Sequence, residues 1–243
     1  MEINLTGQNL CEIPDAVYAQ PVEILRLSQN RIRQIAGPRL PLVKILYLDN
    51  NQLTDIPEGV FTLPALKILI VSRNRIQALS ASIKACTTLR ELWIYDNLLT
   101  DFPDELYQLK GLTGLYANSN RLTRLSPKIL ELENLQTLIL SRNTFTEIPQ
   151  HLTGLKRLEM LYLQETGLPE QTARAILDGI VRAGKAVRAE RVDEIYPGLE
   201  ECHICMTEYN QMVQLKCFAS HRVCTECYPA LRKCPFCCAV FNQ

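Results

Sequence analysis

The sequence has no net charge. Its 26 lysines and arginines balance 26 aspartates and glutamates over 243 residues, and the two signs are mixed along the chain. Nucleic-acid binding usually needs a basic face, so this balance argues against it. Long apolar runs are also missing: nothing approaches the ~18 residues needed to span a bilayer. The opening MEINLTGQNL has no basic block followed by an apolar one, so neither a membrane span nor a secretory signal is expected. Cysteine is scarce through the first 200 residues, where only Cys11 and Cys86 occur. A disulfide scaffold spreads its cysteines over the domain it staples, and here the large part of the chain goes without. The other eight fall between Cys202 and Cys238, largely as CxxC pairs, which points to metal in a reducing compartment.

What the first part does have is a repeat. VEILRLSQNRI (from Val22), VKILYLDNNQL (Val43), LKILIVSRNRI (Leu66), LRELWIYDNLL (Leu89), LTGLYANSNRL (Leu112), LQTLILSRNTF (Leu135) and LEMLYLQETGL (Leu158) align without gaps. The first step is 21 residues and every later one is 23. One column reads Asn30, Asn51, Asn74, Asn97, Asn120, Asn143 and then Thr166, and INLTGQNL is a truncated first copy with Gln8 in that place. The pattern L-x-x-L-x-L-x-x-N-x-L resembles the leucine-rich repeat. Alternating residues such as Leu46 and Leu48 send a short strand's inner face into the core. The asparagine is expected to satisfy backbone groups where the chain turns away. A second apolar set follows five residues later (Ile13, Ile35, Ile56, Leu79, Phe102, Leu125, Ile148). Proline comes next at 14, 57, 103 and 149, which suits an irregular or short helical convex side. The expected fold is an α/β solenoid, a horseshoe of short parallel strands over residues 1–168.

Between the two core positions of each strand one residue points outward: Asn4, Arg26, Tyr47, Ile70, Trp93, Tyr116, Ile139 and Tyr162. From Tyr47 onward this column is wholly aromatic or aliphatic, and it holds the chain's one tryptophan. Strands favour such residues in any case, and the chain's own tail is an alternative cover. A contiguous apolar stripe rich in Trp and Tyr nonetheless points to a protein-binding groove. Tyr47, Ile70, Trp93, Tyr116, Ile139 and Tyr162 are its candidate contact residues, with Asp49, Arg73, Asp96 and Arg142 setting polarity at the rim.

After Leu168 the segment PEQTARAILDGIVRAGKAV opens as helix first turns do, and Ile176, Leu177, Ile180 and Val181 recur at helical spacing. Residues 169–197 are therefore expected to form a helical cap and linker that closes the last repeat, ending at Pro197 and Gly198.

The tail, residues 198–243, is spaced Cys202-x2-Cys205-x11-Cys217-x3-His221-x2-Cys224-x2-Cys227-x6-Cys234-x2-Cys237. Seven cysteines and a histidine suffice for two closed tetrahedral zinc sites with no open catalytic position. Such sites organise a segment too small to build a core of its own. Neighbouring ligands would pair in two linear fingers. The order Cys-Cys-Cys-His-Cys-Cys-Cys-Cys, however, resembles the RING finger at all eight positions. That resemblance implies crosswise pairing: Cys202, Cys205, Cys224 and Cys227 on one ion, with Cys217, His221, Cys234 and Cys237 on the other. It further implies docking of a thioester-charged ubiquitin-conjugating enzyme and transfer of ubiquitin to a substrate lysine, with no covalent intermediate on this chain. Ile204 matches the family's aliphatic docking residue and Pro235 the proline of its last C-P-x-C. Tyr228, Pro229 and Leu231 lie in the loop where an apolar docking residue is usual. Cys238, the spare cysteine, stands where many active members carry a cation.

The whole layout resembles leucine-rich-repeat RING ubiquitin ligases, found in eukaryotic cells and as injected bacterial effectors. The expected compartment is thus a cytosol, the host's in the second case. The expected partners are a conjugating enzyme, ubiquitin and a protein substrate on the concave face. A homodimer through the RING is a further expectation, since some C-terminal RINGs dimerise and use a tail aromatic, here Phe241. The competing reading is a non-enzymatic zinc adaptor or scaffold, favoured by Cys238 in place of the cation.

Overall fold

The computed structural model describes residues 1–33, 40–147, 152, 154–163, 165–169, 172, 176, 200–201, 208–209, 212–214 and 222–224. The chain divides into two compact units, Met1–Ala189 and Glu190–Gln243.

In the first unit each repeat contributes one three-residue strand. These are β1 (Glu2–Asn4), β2 (Ile24–Arg26), β3 (Ile45–Tyr47), β4 (Ile68–Ile70), β5 (Glu91–Trp93), β6 (Gly114–Tyr116), β7 (Thr137–Ile139) and β8 (Met160–Tyr162). They form one parallel sheet in chain order, β1 to β8. The register never slips, so equivalent residues face each other across every pair, as Leu69 faces Leu92 and Leu92 faces Leu115. Alternation turns Leu46 and Leu48 inward as expected, and both are fully buried in one continuous core that runs the length of the unit.

The asparagine column explains why the repeat tolerates little else there. Asn51 accepts the Ile32 N–H through Oδ1 at 2.9 Å. Its Nδ2 donates to the carbonyls of Leu27 at 2.9 Å and Leu48 at 3.0 Å, so one side chain ties three backbone groups of two repeats. Asn97 does the same with Ile76, Val71 and Ile94. The residue just before each asparagine bends the chain in the left-handed region, from Gln29 (φ 57°) through Arg73 (55°) and Asp96 (54°) to Arg142 (53°). In the last copy Thr166 can donate only one bond, to Leu163.

Opposite the strands the described residues make short turns: α1 (Asp15–Tyr18), α2 (Glu58–Phe61) and 3-10 turns at Ala81–Ala85, Asp104–Gln108 and Pro127–Glu131. Pro14, Pro57 and Pro103 occupy the cap position, where a missing N–H costs nothing. Where proline is absent a serine takes over, Ser80 Oγ accepting from Ser82 N–H and Ser126 Oγ from Lys128 N–H. Ile13, Ile56, Leu79, Phe102 and Leu125 are buried beneath these turns; Ile35, Ile148 and Pro149 lie outside the described residues. Strands repeat every ~4.8 Å, whereas the turns and their side chains need more room, so the strand side is the concave one. Cys86 belongs to the core, and burial pushes its thiol up to about 11. Cys11 is exposed.

At the C-terminal end of the unit Ile176 is buried in the same core. Leu177, Ile180 and Val181 lie outside the described residues. In the second unit the described backbone comprises β9 (Glu200–Glu201) antiparallel to β10 (Glu208–Tyr209), and β11 (Met212–Gln214) antiparallel to β12 (Arg222–Cys224). Among the described residues, no helix is long and apolar enough to cross a membrane.

Candidate functional site

Because the register is constant, the outward column forms a continuous row across seven strands: Arg26, Tyr47, Ile70, Trp93, Tyr116, Ile139, Tyr162. The row begins with a charge, the Arg26 guanidinium lying 4.1 Å over the Tyr47 ring and held from behind by Glu2 at 2.6 Å. At its centre the rings of Trp93 and Tyr116 stack with centroids 3.5 Å apart, 9° from parallel. The indole N–H donates to Glu91 at 3.1 Å, so the ring is fixed at both face and edge.

The expectation of an exposed stripe needs correction. Tyr47, Ile70, Trp93, Tyr116, Ile139 and Tyr162 are all buried, none more than 8% exposed. Alternation tells which face a side chain takes, and that part of the reading holds. It does not tell what covers the row.

A second column, two residues further along each strand, was not singled out from the sequence. It reads Ser28, Asp49, Ser72, Tyr95, Asn118 and Ser141. Continuation of the register sets Tyr95 beside Asn118, as the Asp96 N–H to Asn118 carbonyl bond at 3.0 Å shows. Ser28 donates to Asp49 at 2.5 Å. Ser72, Tyr95, Asn118 and Ser141 are buried. Burial raises the Tyr95 phenol well above its ordinary value, and the nearby Arg73 only partly opposes this. The Ser72 hydroxyl faces Tyr95 loosely and makes no hydrogen bond of full geometry. Asn118 has neither its amide N–H nor its amide oxygen paired. The signal was present in the sequence as a polar column, Tyr95 included, beside an apolar one.

Gly114 was also missed. A Cβ there would sit 2.8 Å from Cε2 of Tyr116, so its bare backbone is the space into which that ring folds. The rim residues are arranged in pairs: Arg73 with Asp96 at 3.9 Å and Arg142 with Glu165 at 3.2 Å.

Of the candidate zinc ligands, only Cys224 has described backbone, at the end of β12 opposite Met212. Cys202, Cys205, Cys217, His221, Cys227, Cys234 and Cys237 lie outside the described residues, as do Ile204, Tyr228, Leu231 and Pro235. Among the described residues no cluster of three or more His, Cys, Asp or Glu could hold a metal ion.

Comparison with known families agrees with the geometry. The family model for the leucine rich repeat matches residues 41–99 and 110–168. The solenoid is a leucine-rich repeat. The chain is also similar to solved structures. An internalin from Listeria monocytogenes superposes with a TM-score of 0.65 at 20% identity, over 77% of this chain and 53% of that one. An LRR protein of Leptospira interrogans gives 0.49 at 22% identity, over 78% of this chain and 60% of its own. The chain thus spans little more than half the length of either, and at 20% identity the likeness to the internalin concerns the fold alone. No curated protein matches the sequence at a significant level. Leucine-rich repeats generally bind protein partners.

Proposed function

We propose that the chain is a RING-type ubiquitin ligase. The leucine-rich repeat holds a protein substrate on its strand face, and the tail recruits a ubiquitin-charged conjugating enzyme. Proximity of the two then supplies much of the rate of transfer to a substrate lysine. The observation that carries this reading is the order of eight candidate ligands from Cys202 to Cys237, C-terminal to a repeat domain and its linker.

Seven thiolates and one imidazole form a donor set that suits zinc by softness and by number, four to an ion. The ions' contribution would be structural. Cys202, Cys205, Cys224 and Cys227 would hold one, and Cys217, His221, Cys234 and Cys237 the other. Bound, they would position Ile204, Tyr228, Leu231 and Pro235 to form a shallow apolar surface adequate for a transient partner. Transfer passes from the conjugating enzyme to the acceptor lysine, so the cysteines here are ligands and not nucleophiles.

The second reading, a zinc adaptor without activity, is favoured by Cys238 standing where the family often has a cation. Zinc-loaded protein incubated with ubiquitin, activating enzyme and a panel of conjugating enzymes separates the two. Chains that form with the wild type and not with Ile204→Ala support the ligase. No chains with any panel member favours the adaptor, and chains that form equally well with the variant refute the docking surface.

A further inference from the structure

We infer that the flank of the repeat unit just past the asparagine ladder binds an acidic polypeptide segment in the polyproline II conformation, with a carboxylate at every third residue. This surface lies off the strand face and is independent of ligase activity.

Beyond each ladder asparagine the chain still alternates. Ile32, Ile76 and Leu122 turn into the core, and their neighbours Arg31, Arg75 and Arg121 turn out. The three arginine N–H groups each donate at 2.8 Å to a carbonyl of the preceding repeat, those of Leu10, Leu53 and Leu99. Two residues further on, Gln77, Thr123 and Thr146 donate in the same way to Thr54, Thr100 and Thr123. These bonds hold the flank at ladder spacing, about 4.8 Å per repeat. The arginines recur in every second copy, so they stand about 10 Å apart.

Arg31, Arg75 and Arg121 are exposed, and none has a side-chain partner among the described residues. Elsewhere on the unit Arg26 faces Glu2, Arg73 faces Asp96, Arg124 faces Asp101 and Arg142 faces Glu165. A fold that pairs those four leaves this row open. Between the row's arginines stand Gln52 and Leu98, both neutral and half-buried, and beside it run the exposed Thr54, Gln77, Thr100 and Thr123. Neither column holds an acid from Arg31 to Thr146. Acids come in the next column, as Asp55, Asp101 and Glu147, and Asp101 is turned to Arg124 and to the Phe102 N–H. The general field over the flank is therefore weak, and recognition goes by spacing, charge against charge.

A polyproline II helix has about three residues per turn and rises about 3.1 Å per residue. Every third side chain falls on one face, about 9 Å from the last, close to the arginine spacing. A β-strand fails the same test. Its residues three apart point to opposite faces, and those two or four apart lie about 7 or 13 Å from each other. Polyproline II also has no internal hydrogen bonds, so its peptide groups need outside partners. The Thr100 and Thr123 hydroxyls and the Gln77 amide offer both donors and acceptors. Guanidinium groups take carboxylates with two parallel bonds, which fixes each contact in place. A nucleic-acid strand instead carries a phosphate at every nucleotide, so many of its charges would face Gln52 and Leu98.

The test is fluorescence anisotropy of labelled peptides with the full chain at low ionic strength. A repeated Glu-Pro-Pro peptide supplies carboxylates at the right period on a preformed helix. A peptide of the same composition with its glutamates gathered at one end has equal charge and the wrong period. The first is expected to bind roughly tenfold more tightly than the second, and Arg75→Gln to weaken it about fivefold, the upper worth of one exposed ion pair. Replacing Arg31, Arg75 and Arg121 together by Gln is expected to bring it down to the clustered peptide. All three side chains are exposed, so the unfolding midpoint should not move. A control with the exposed Lys67, Lys84 and Arg157 changed to Gln loses the same charge elsewhere and is expected to bind as the wild type does. Equal binding of the two peptides, wild-type binding in Arg75→Gln, or an equal loss in the control each overturns the inference. So does the absence of measurable Glu-Pro-Pro binding, or tighter binding of a single-stranded oligonucleotide to the same arginines.

Discussion

The Trp93 and Tyr116 rings stack at 3.5 Å because residue 114 has no side chain. Gly114 is therefore a device for the face and not for the backbone. Gly114→Ala sets a methyl against a movable ring and not against main chain, so it is expected to cost only about 1 kcal/mol. The stack should open. Trp93 is the chain's only tryptophan, so its emission reports this directly. A shifted or brighter emission with near-normal stability is expected, and an unchanged spectrum would mean that the ring does not depend on Gly114.

The asparagine ladder should dominate stability at the middle of the repeat and matter little at its ends. Asn97 serves Ile76, Val71 and Ile94 from a buried position, and Asn97→Ala strands these backbone groups. A loss of roughly 3 kcal/mol is expected in denaturant unfolding. Gln8 in the first copy is exposed and makes one long bond to Thr6, so Gln8→Ala should fall within about 0.5 kcal/mol of the wild type.

These two cases show what could be read in advance. A strict step of 23 residues and one asparagine column dictate strand, turn and core together, because each position has a single role in every copy. The single-turn convex side was legible from Pro14, Pro57 and Pro103 for the same reason. Burial of the Tyr47–Tyr162 row was not, since alternation assigns a side and says nothing of what closes over it. Gly114 and Asn118 escaped because the columns that hold them, from Ile24 to Met160 and from Ser28 to Ser141, vary in residue type, and a repeat is read by what recurs. The candidate zinc ligands rest on spacing alone, and all but Cys224 lie outside the described residues.

Alkaline pH should destabilise the repeat unit. Burial raises the Cys86 thiol to about 11 from an ordinary 9.0, and it raises the Tyr95 and Tyr107 phenols above their ordinary 10.0. In each case the folded state holds its proton more tightly. Stability is thus fully present below the unfolded values and is lost as pH climbs through about 9 to 11. Unfolding followed by Trp93 emission should show a falling midpoint over that window. The Tyr107 hydroxyl is buried with no partner of full geometry, so Tyr107→Phe should be neutral or stabilising near pH 7 and should blunt the alkaline loss. A Tyr107→Phe protein markedly weaker at neutral pH would contradict this.

Metal content tests the ligand set apart from any activity. About two zinc ions per chain are expected, falling to about one in Cys237→Ser and staying at about two in Cys238→Ser. Chelation should leave the Trp93-reported unfolding midpoint of the Met1–Ala189 unit where it was. Equal metal loss in the two serine variants would remove the distinction between the last ligand and the spare cysteine.

The most direct measurement is single-turnover discharge of ubiquitin from a charged conjugating enzyme onto free lysine. The wild type should accelerate it, and Ile204→Ala should return it to the uncatalysed rate. Trp93→Ala should discharge as fast as the wild type, because no substrate sits on the strand face, and Cys238→Arg should be faster. No acceleration by zinc-loaded wild type with any conjugating enzyme, or acceleration untouched by Ile204→Ala, would contradict the division of labour between repeat and tail.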